Sequence, residues 1–189
     1  MATRILGIDP GLTRCGVGVI DAHAARKVKL VSVDVYRSDP GLELQQRIAS
    51  IGQRIEALIA EAKPDVIALE RVYADVNVRS VMGTAQISGV ALFLAQRAGI
   101  PVVMHTPTEV KAAVTGSGRA DKTQVGNMVA RILGLDEVPE PADAADSLAI
   151  AITHAWRAFG ATSPDSASLT PAQKAWHAAE RAAQSKTKG

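Results

Sequence analysis

Four acidic side chains stand where the apolar patterning of this chain would place something else. Asp9 ends a first strand-like run and Glu70 ends another. Asp143 and Asp146 stand three residues apart at the start of a helix-like stretch, a spacing that puts both carboxylates on one helical face. Four gathered carboxylates repel one another, which raises their pKa values, unless hard cations lie among them. Because the donors are all oxygen, the pattern indicates Mg²⁺ or Mn²⁺ and not zinc.

Length and composition place the elements that must position these acids in one domain of ordinary size. The chain has 189 residues, of which 47% are hydrophobic, and its single cysteine, Cys15, cannot form an internal disulfide. No apolar run reaches the roughly 18 residues of a membrane span, and the N-terminus does not read as a signal peptide. We therefore expect a soluble, cytoplasmic protein with no membrane contact.

The distribution of charge says more about partners than its sum does. The net charge is only +2, but the segment between residues 71 and 131 holds seven bases against three acids. Such a segment suits a metal-lined cleft rimmed by phosphate-binding groups, although charge on solvated helix faces explains it nearly as well. The seven bases are Arg71, Arg79, Arg97, Lys111, Arg119, Lys122 and Arg131.

Hydrophobic periodicity predicts five strands and several helices. The first three strands are joined by short connections, which favours an antiparallel meander, and later strands alternate with helices. This order is typical of an α/β protein with a mixed sheet flanked by helices. The predicted strands span 4–8, 15–20, 28–36, 66–69 and 101–105, and two long helices span about 42–62 and 78–98.

Capping signals and a change in composition set further boundaries. Thr108 and Asp121 are predicted N-caps, and Gln124 completes a capping-box spacing after Asp121. After Phe159 the chain becomes rich in Ser, Ala, Thr and Lys. The predicted organisation is one folded domain over 1–160 and a flexible tail over 161–189.

The second long helix carries apolar and small residues most of the way round. One face of a helix usually suffices to cover a domain core, so the second face needs another partner. Burial in a larger core competes with dimerisation, but 189 residues leave little core for a second face. We therefore predict a homodimer whose interface includes Val78, Met82, Ala85 and Gly89.

Glycines follow the first acid in the run Gly-Ile-Asp-Pro-Gly-Leu-Thr-Arg-Cys-Gly-Val-Gly (7–18). At Gly16 and Gly18 the missing side chains would let a phosphate approach the backbone. By itself, an Asp-Pro-Gly sequence after a strand marks an ordinary turn about as often as it marks a functional site. The run gains weight from Glu-Arg-Val-Tyr (70–73) and from Asp-Ala-Ala-Asp-Ser-Leu-Ala-Ile-Ala-Ile-Thr-His (143–154), which follow it in order.

With these three motifs, the chain resembles the RuvC family of Holliday junction resolvases over about residues 4–159. The resemblance implies a ribonuclease H-like fold with a mixed five-stranded sheet. It also implies a homodimer that makes paired, symmetric nicks in four-way junction DNA during recombination and repair. The RuvA–RuvB branch-migration complex is the further partner that it implies.

The resemblance also implies roles for single residues. The four acids correspond to the family's metal-binding catalytic acids. Phosphodiester hydrolysis needs an activated water and stabilisation of both oxygens, which two Mg²⁺ ions per site, with Mn²⁺ as a substitute, would supply. Some members have His where Asp143 stands. Lys111 and Lys122 fall at positions that contact DNA, with Lys122 also acting on the scissile phosphate, and Tyr73, where Phe is more usual, would stack on a base. From the basic segment, Arg71 and Arg119 are predicted to add DNA contacts.

Two other functions use the same residues. A sugar-kinase or actin-like ATPase also carries Asp-x-Gly-x-Thr in its phosphate loop, as Asp9 to Thr13 do here, but such proteins need two related domains. A junction-binding module with an inactive site is the alternative from a different class, and the presence of all four acids argues against it. Magnesium-dependent nicking of four-way DNA, measured beside ATP turnover, separates the three.

Overall fold

The computed structural model describes residues 2–71 and 78–160 of the chain. Its elements alternate as the periodicity predicts, with strand and helix bounds within a few residues of the expected ones. The strands are β1 Thr3–Asp9, β2 Arg14–Ala22, β3 Val28–Arg37, β4 Val66–Glu70 and β5 Val102–His105. The helices are α1 Leu44–Ala62, α2 Val78–Arg97, α3 Pro107–Thr115, α4 Lys122–Leu133 and α5 Ala142–Gly160.

The five strands form one mixed sheet in the order β3-β2-β1-β4-β5. The β1–β2 and β2–β3 pairs are antiparallel, which confirms the predicted meander. The β1–β4 and β4–β5 pairs are parallel, as expected for strands joined through helices. The C-terminal ends of β1, β4 and β5 therefore lie at one edge of the sheet.

Two hydrophobic layers cover the sheet, one on each face. Leu6 and Ile8 of β1 pack in the layer formed with α1 and α2. Ile5, on the other face of the same strand, packs in the layer formed with α3, α4 and α5. Alternation along β1 thus decides which helices each side chain meets.

One of the two predicted N-caps is wrong. Asp121 caps α4 and forms the expected capping box with Gln124. Helix α3 is capped by Thr106, whose side chain accepts from the Glu109 backbone N–H, and Thr108 lies inside the helix. Pro107 occupies the first helical position, where its fixed φ and missing N–H cost nothing, so the helix begins before Thr108.

Helix α2 has one buried face and one exposed face. Ile87 and Ala91 are buried in the layer shared with α1. On the opposite side, Met82 is 54% exposed and Phe93 is 62% exposed. Across the part of the chain that the structure describes, no helix is both long and apolar enough to cross a membrane.

Candidate nuclease site

Asp9 and Glu70 meet at the C-terminal ends of two adjacent parallel strands. Both lie one residue beyond the paired positions Ile8 and Leu69. Alternate residues of a strand share a face, so Asp9 lies on the face of Ile5, which is the α5 side. The same alternation places Glu70 there, and the two carboxylates share one cavity.

Helix α5 reaches these strands because glycines leave it room. A Cβ added at Gly7 would lie 2.1 Å from the carbonyl oxygen of Ser147, and one added at Gly16 would lie 2.0 Å from that of Asp143. At Gly18 the nearest atom would be Leu148 Cδ2 at 2.8 Å. The prediction that Gly16 and Gly18 admit a phosphate is therefore wrong, because the backbone and side chains of α5 fill that space.

The first cavity of the site holds three of the four acids and two lysines. It has a volume of about 280 Å³ and is lined by Asp9, Glu70, Lys111, Lys122 and Asp146, among others. Lys122 Nζ donates to Asp146 Oδ2 at 3.0 Å. The cavity thus combines carboxylates with the ammonium groups that could meet a phosphate.

Asp143 faces a second cavity, of about 800 Å³, that meets the first at Asp9. Its Oδ2 lies 3.0 Å from Arg14 Nε. Asp143 belongs to the first turn of α5, where the helix dipole favours an anion, whereas Asp146 lies one turn further along. Of the two acids, only Asp143 therefore gains from the dipole at the N-terminus of α5.

Burial and mutual repulsion act on the two strand-end acids. Burial raises the pKa of Asp9 well above its ordinary value, and the charges of Glu70, Asp146 and Asp143 raise it further. Burial likewise raises the pKa of Glu70, with Asp146 contributing. Partial burial opposes the charge of Lys122, but its hydrogen bond and charge interaction with Asp146 leave the pKa of the lysine raised.

These acids fit a hard divalent cation by donor chemistry but are not gathered around one point. Their oxygens are the donors that Mg²⁺ prefers, and burial together with the neighbouring carboxylates raises the pKa values of Asp9 and Glu70, so a cation there would stabilise their charged forms. Within residues 2–71 and 78–160, however, no group of three or more His, Cys, Asp or Glu is arranged to hold a metal ion. Arg14 and Lys122 pair with two of the acids, so side-chain cations offset part of the repulsion among them.

The remaining predicted site residues are spread more widely. Arg71 and Arg119 are exposed and are not among the residues that line either cavity. Tyr73 lies outside the described residues. On α2, Met82, Ala85 and Gly89 are all exposed, and Val78 begins the helix with its side chain outside the described part.

Two arginines of the second cavity were missed in the sequence. Arg14 follows the Asp-Pro-Gly turn that begins at Asp9, so its nearness to the first acid was a usable signal. Arg47 lies early in α1 and carries no local signal, because only the packing of α1 brings it beside the turn.

Comparisons with known proteins identify the family of this chain. A family model described as "Crossover junction endodeoxyribonuclease RuvC" matches residues 5–154. A protein of that name from Leifsonia xyli subsp. xyli is 55% identical over 194 residues, covering 96% of this chain and 93% of its own. Another from Streptomyces griseus is 59% identical over 155 residues, covering 82% of this chain and 76% of its own.

A solved structure confirms the fold that the resemblance implies. The structure of T. thermophilus RuvC in complex with a Holliday junction substrate superposes with a TM-score of 0.80 at 35% sequence identity. The match covers 85% of this chain and 97% of that chain. The mixed five-stranded sheet flanked by helices is therefore a ribonuclease H-like sheet of the RuvC kind.

Proposed function

The chain belongs to the RuvC family of crossover junction endodeoxyribonucleases, and on this premise we propose that it resolves Holliday junctions by paired symmetric nicks. The catalytic acids that we propose are Asp9, Glu70, Asp143 and Asp146. The chain is a metal-dependent nuclease that acts in the recombination and repair of DNA in the cytoplasm. The observation that carries the residue assignment is the cavity in which Asp9, Glu70 and Asp146 meet two lysines.

The four carboxylates would hold the metal, which we propose to be two Mg²⁺ ions per site with Mn²⁺ as a substitute. Bound there, the ions would supply a water of lowered pKa and neutralise charge on the phosphodiester oxygens. Asp9 borders both cavities, so it is the acid best placed to serve both positions. Asp143 and Asp146 pair with Arg14 and Lys122 through one oxygen each, so a bound metal would compete with these internal cations for the two carboxylates.

Lys111 and Lys122 would orient the DNA backbone. Both line the cavity of the strand-end acids, and the ammonium group of Lys122 is held toward Asp146. The ammonium group of either lysine would hold a phosphate oxygen where negative charge develops. We propose that Arg71 and Arg119 contact more distant phosphates and that Tyr73 stacks on a base, since stacking requires only a π-face.

Nicking on defined DNA tests the proposed function. Wild-type protein should nick four-way DNA symmetrically when magnesium is present and should leave linear duplex of the same sequence uncut. ATP turnover, measured alongside, should be absent. Cleavage of linear DNA at the same rate would contradict the proposed selectivity for junctions. ATP hydrolysis without nicking would favour the ATPase alternative.

Replacing Lys111 or Lys122 by alanine should weaken junction binding in a salt-dependent way. Removing one lysine–phosphate interaction should lower the log–log salt slope of binding by about one. Lys29→Ala is the matched control, because Lys29 is exposed on β3 and does not line either cavity. Fluorescence anisotropy across a salt series measures the slopes. Equal slopes for the wild type, the two variants and the control would show that neither lysine contacts a DNA phosphate.

The exposed face of α2 is the surface that we propose for homodimerisation. Met82, Ala85 and Gly89 recur at three- and four-residue spacing on this side, and Phe93 extends the row. A large exposed phenyl ring and a thioether on one helix face are the kind of anchors that interfaces bury. Isologous pairing through this face would place two equal sites about one axis, which explains paired nicking.

A charge at the centre of this face should separate the protomers. Met82→Glu should sediment as a monomer at micromolar concentration, because burying an unpaired carboxylate costs several kcal/mol, comparable with a modest interface. Paired nicking should be lost with it. Asn127→Glu on α4, exposed on the opposite side of the sheet, is the control and should remain a dimer. A dimeric Met82→Glu variant would contradict the proposed interface.

Two assignments complete the proposal. The tail predicted over 161–189, after the domain over 1–160, lies outside the described residues, and its assignment rests on a Ser/Ala/Lys-rich composition that provides little apolar surface to bury. The RuvA–RuvB branch-migration complex is the proposed partner that brings junctions to the site.

A further inference from the structure

The larger of the two cavities at the site has no assigned role. It is about 800 Å³ in volume and is lined by Asp9 and Asp143 but by neither lysine of the smaller cavity. Its walls come from the β1–β2 turn, the first part of α1, α2 and the start of α5. Its lining residues include Gly11, Leu12, Thr13, Arg14, Arg47, Gly83 and Thr84.

Arg47 is held in this cavity by hydroxyl groups. Its Nε donates to Ser38 Oγ at 3.0 Å and its Nη2 donates to Thr13 Oγ1 at 3.0 Å. Ser38 is itself buried, and its hydroxyl donates to the Leu12 carbonyl oxygen. Among the described residues, no carboxylate forms an ion pair with Arg47. A positioned guanidinium whose charge is not neutralised, with N–H groups to spare, is suited to an anion.

Arg14 is the second cation of the cavity, and its partner is one of the four acids. Its side chain is 54% exposed and lies 3.0 Å from Asp143 through Nε. If Asp143 binds metal, as in the proposed function, the metal would neutralise the carboxylate and weaken its ion pair with Arg14. The cavity would then be lined by two arginines whose charges are not neutralised by an ion pair, and its local charge would become more positive.

We propose that this cavity binds backbone phosphates of the cleaved strand next to the scissile phosphate, with Arg47 as the fixed contact and Arg14 as a contact that becomes available when Asp143 is occupied. The inference rests on the proposed function, because the strand must reach Asp9 to enter both cavities. Guanidinium groups match phosphate oxygens in a two-pronged geometry that a lysine cannot reproduce. The two cavities would thus hold successive parts of one strand, with Asp9 between them.

Phosphate-by-phosphate neutralisation tests the role of Arg47. Junctions that carry a single methylphosphonate at successive positions around the scissile phosphate are bound without divalent metal, so that no cutting occurs. Against the unmodified junction, Arg47→Ala should lower the salt slope by about one and weaken binding about tenfold at 0.1 M salt. One methylphosphonate position should weaken wild-type binding similarly and leave Arg47→Ala unaffected.

Two variants keep this test decisive. Arg47→Lys keeps the positive charge and should keep most of the salt slope. It therefore distinguishes an effect of lost charge from an effect of a loosened β1–β2 turn. Arg131→Ala removes an exposed arginine in the last turn of α4 that lines neither cavity, and it should behave as wild type. Thermal melts establish that each variant is folded. The inference is overturned if folded Arg47→Ala keeps the wild-type slope, or if every methylphosphonate weakens it as much as it weakens the wild type.

The role of Arg14 is tested through its coupling to Asp143. In metal-free protein, Arg14→Ala should change junction affinity little, because the guanidinium is held by the carboxylate. In an Asp143→Asn background the same change should weaken binding about tenfold, comparable with the Arg47 effect. Equal effects of Arg14→Ala in the two backgrounds would overturn its conditional role. Magnesium-dependent nicking by wild-type protein tests the proposed function separately, so the two failures are distinguishable.

Discussion

Asp9→Asn should reduce magnesium-dependent nicking of four-way DNA about a thousandfold or more while leaving junction binding largely intact. Asp9 is the acid that borders both cavities, so its loss would weaken every metal position that the site could hold. A metal contributes several kcal/mol to phosphodiester hydrolysis, and each 1.4 kcal/mol is about tenfold in rate. Binding depends on the basic residues around the cavities, which the substitution leaves in place. Single-turnover cleavage beside anisotropy measures both.

Glu70→Gln and Asp146→Asn should lose cleavage in the same way, since both line the cavity with Asp9. Asp136→Asn is the control, because Asp136 is an exposed acid that lines neither cavity. A folded Asp9→Asn protein that cuts at the wild-type rate would remove Asp9 from the catalytic residues.

A second measurement on Asp9→Asn does not depend on activity. The pKa of Asp9 in the folded protein is raised by burial and by neighbouring carboxylates. An acid with a raised folded pKa binds its proton more tightly folded than unfolded, so metal-free stability falls as pH rises from the unfolded pKa through the folded one. The neutral amide removes that cost at pH 7. Metal-free Asp9→Asn should therefore melt above the wild type, by about 2–4 °C for each kcal/mol gained, and magnesium should stabilise the wild type more.

Gly16→Ala should destabilise the protein and disable the site together. The added Cβ would lie 2.0 Å from the carbonyl oxygen of Asp143 and 2.7 Å from its carbonyl carbon. Both are backbone atoms of α5, so the first turn of the helix must move away from β2. Overpacking against backbone costs on the order of 3 kcal/mol or more, which is about 6–12 °C in Tm for a domain of this size.

The displacement of α5 would also carry Asp143 and Asp146 away from Asp9, so nicking should fall more than stability alone explains. Gly41→Ala is the matched control, because an added Cβ there meets only the side chain of Asp39, at 3.3 Å. Differential scanning fluorimetry and cleavage at a temperature where both proteins are folded measure the two effects. An unchanged Tm for Gly16→Ala would show that α5 does not lie as close to β2 as the structure places it.

The sequence by itself determined which acids stand at element ends. Alternating apolar residues end at Asp9 and at Glu70, and the spacing of Asp143 and Asp146 marks one face of the helix that follows. Strand and helix periods are local properties, as is the capping box at Asp121, so they can be read from neighbouring residues. The motifs in their order were enough to indicate the family.

The tertiary structure alone decided how closely these elements approach and which cations lie between them. The backbone of α5 packs directly against Gly16 and fills the space that a side chain would occupy. Only the packed helix shows what lies over this glycine. Arg14 and Arg47 join the site through the packing of the β1–β2 turn against α5 and α1. Contacts between residues far apart in sequence depend on the distances between whole elements, and no local pattern of side chains records those distances.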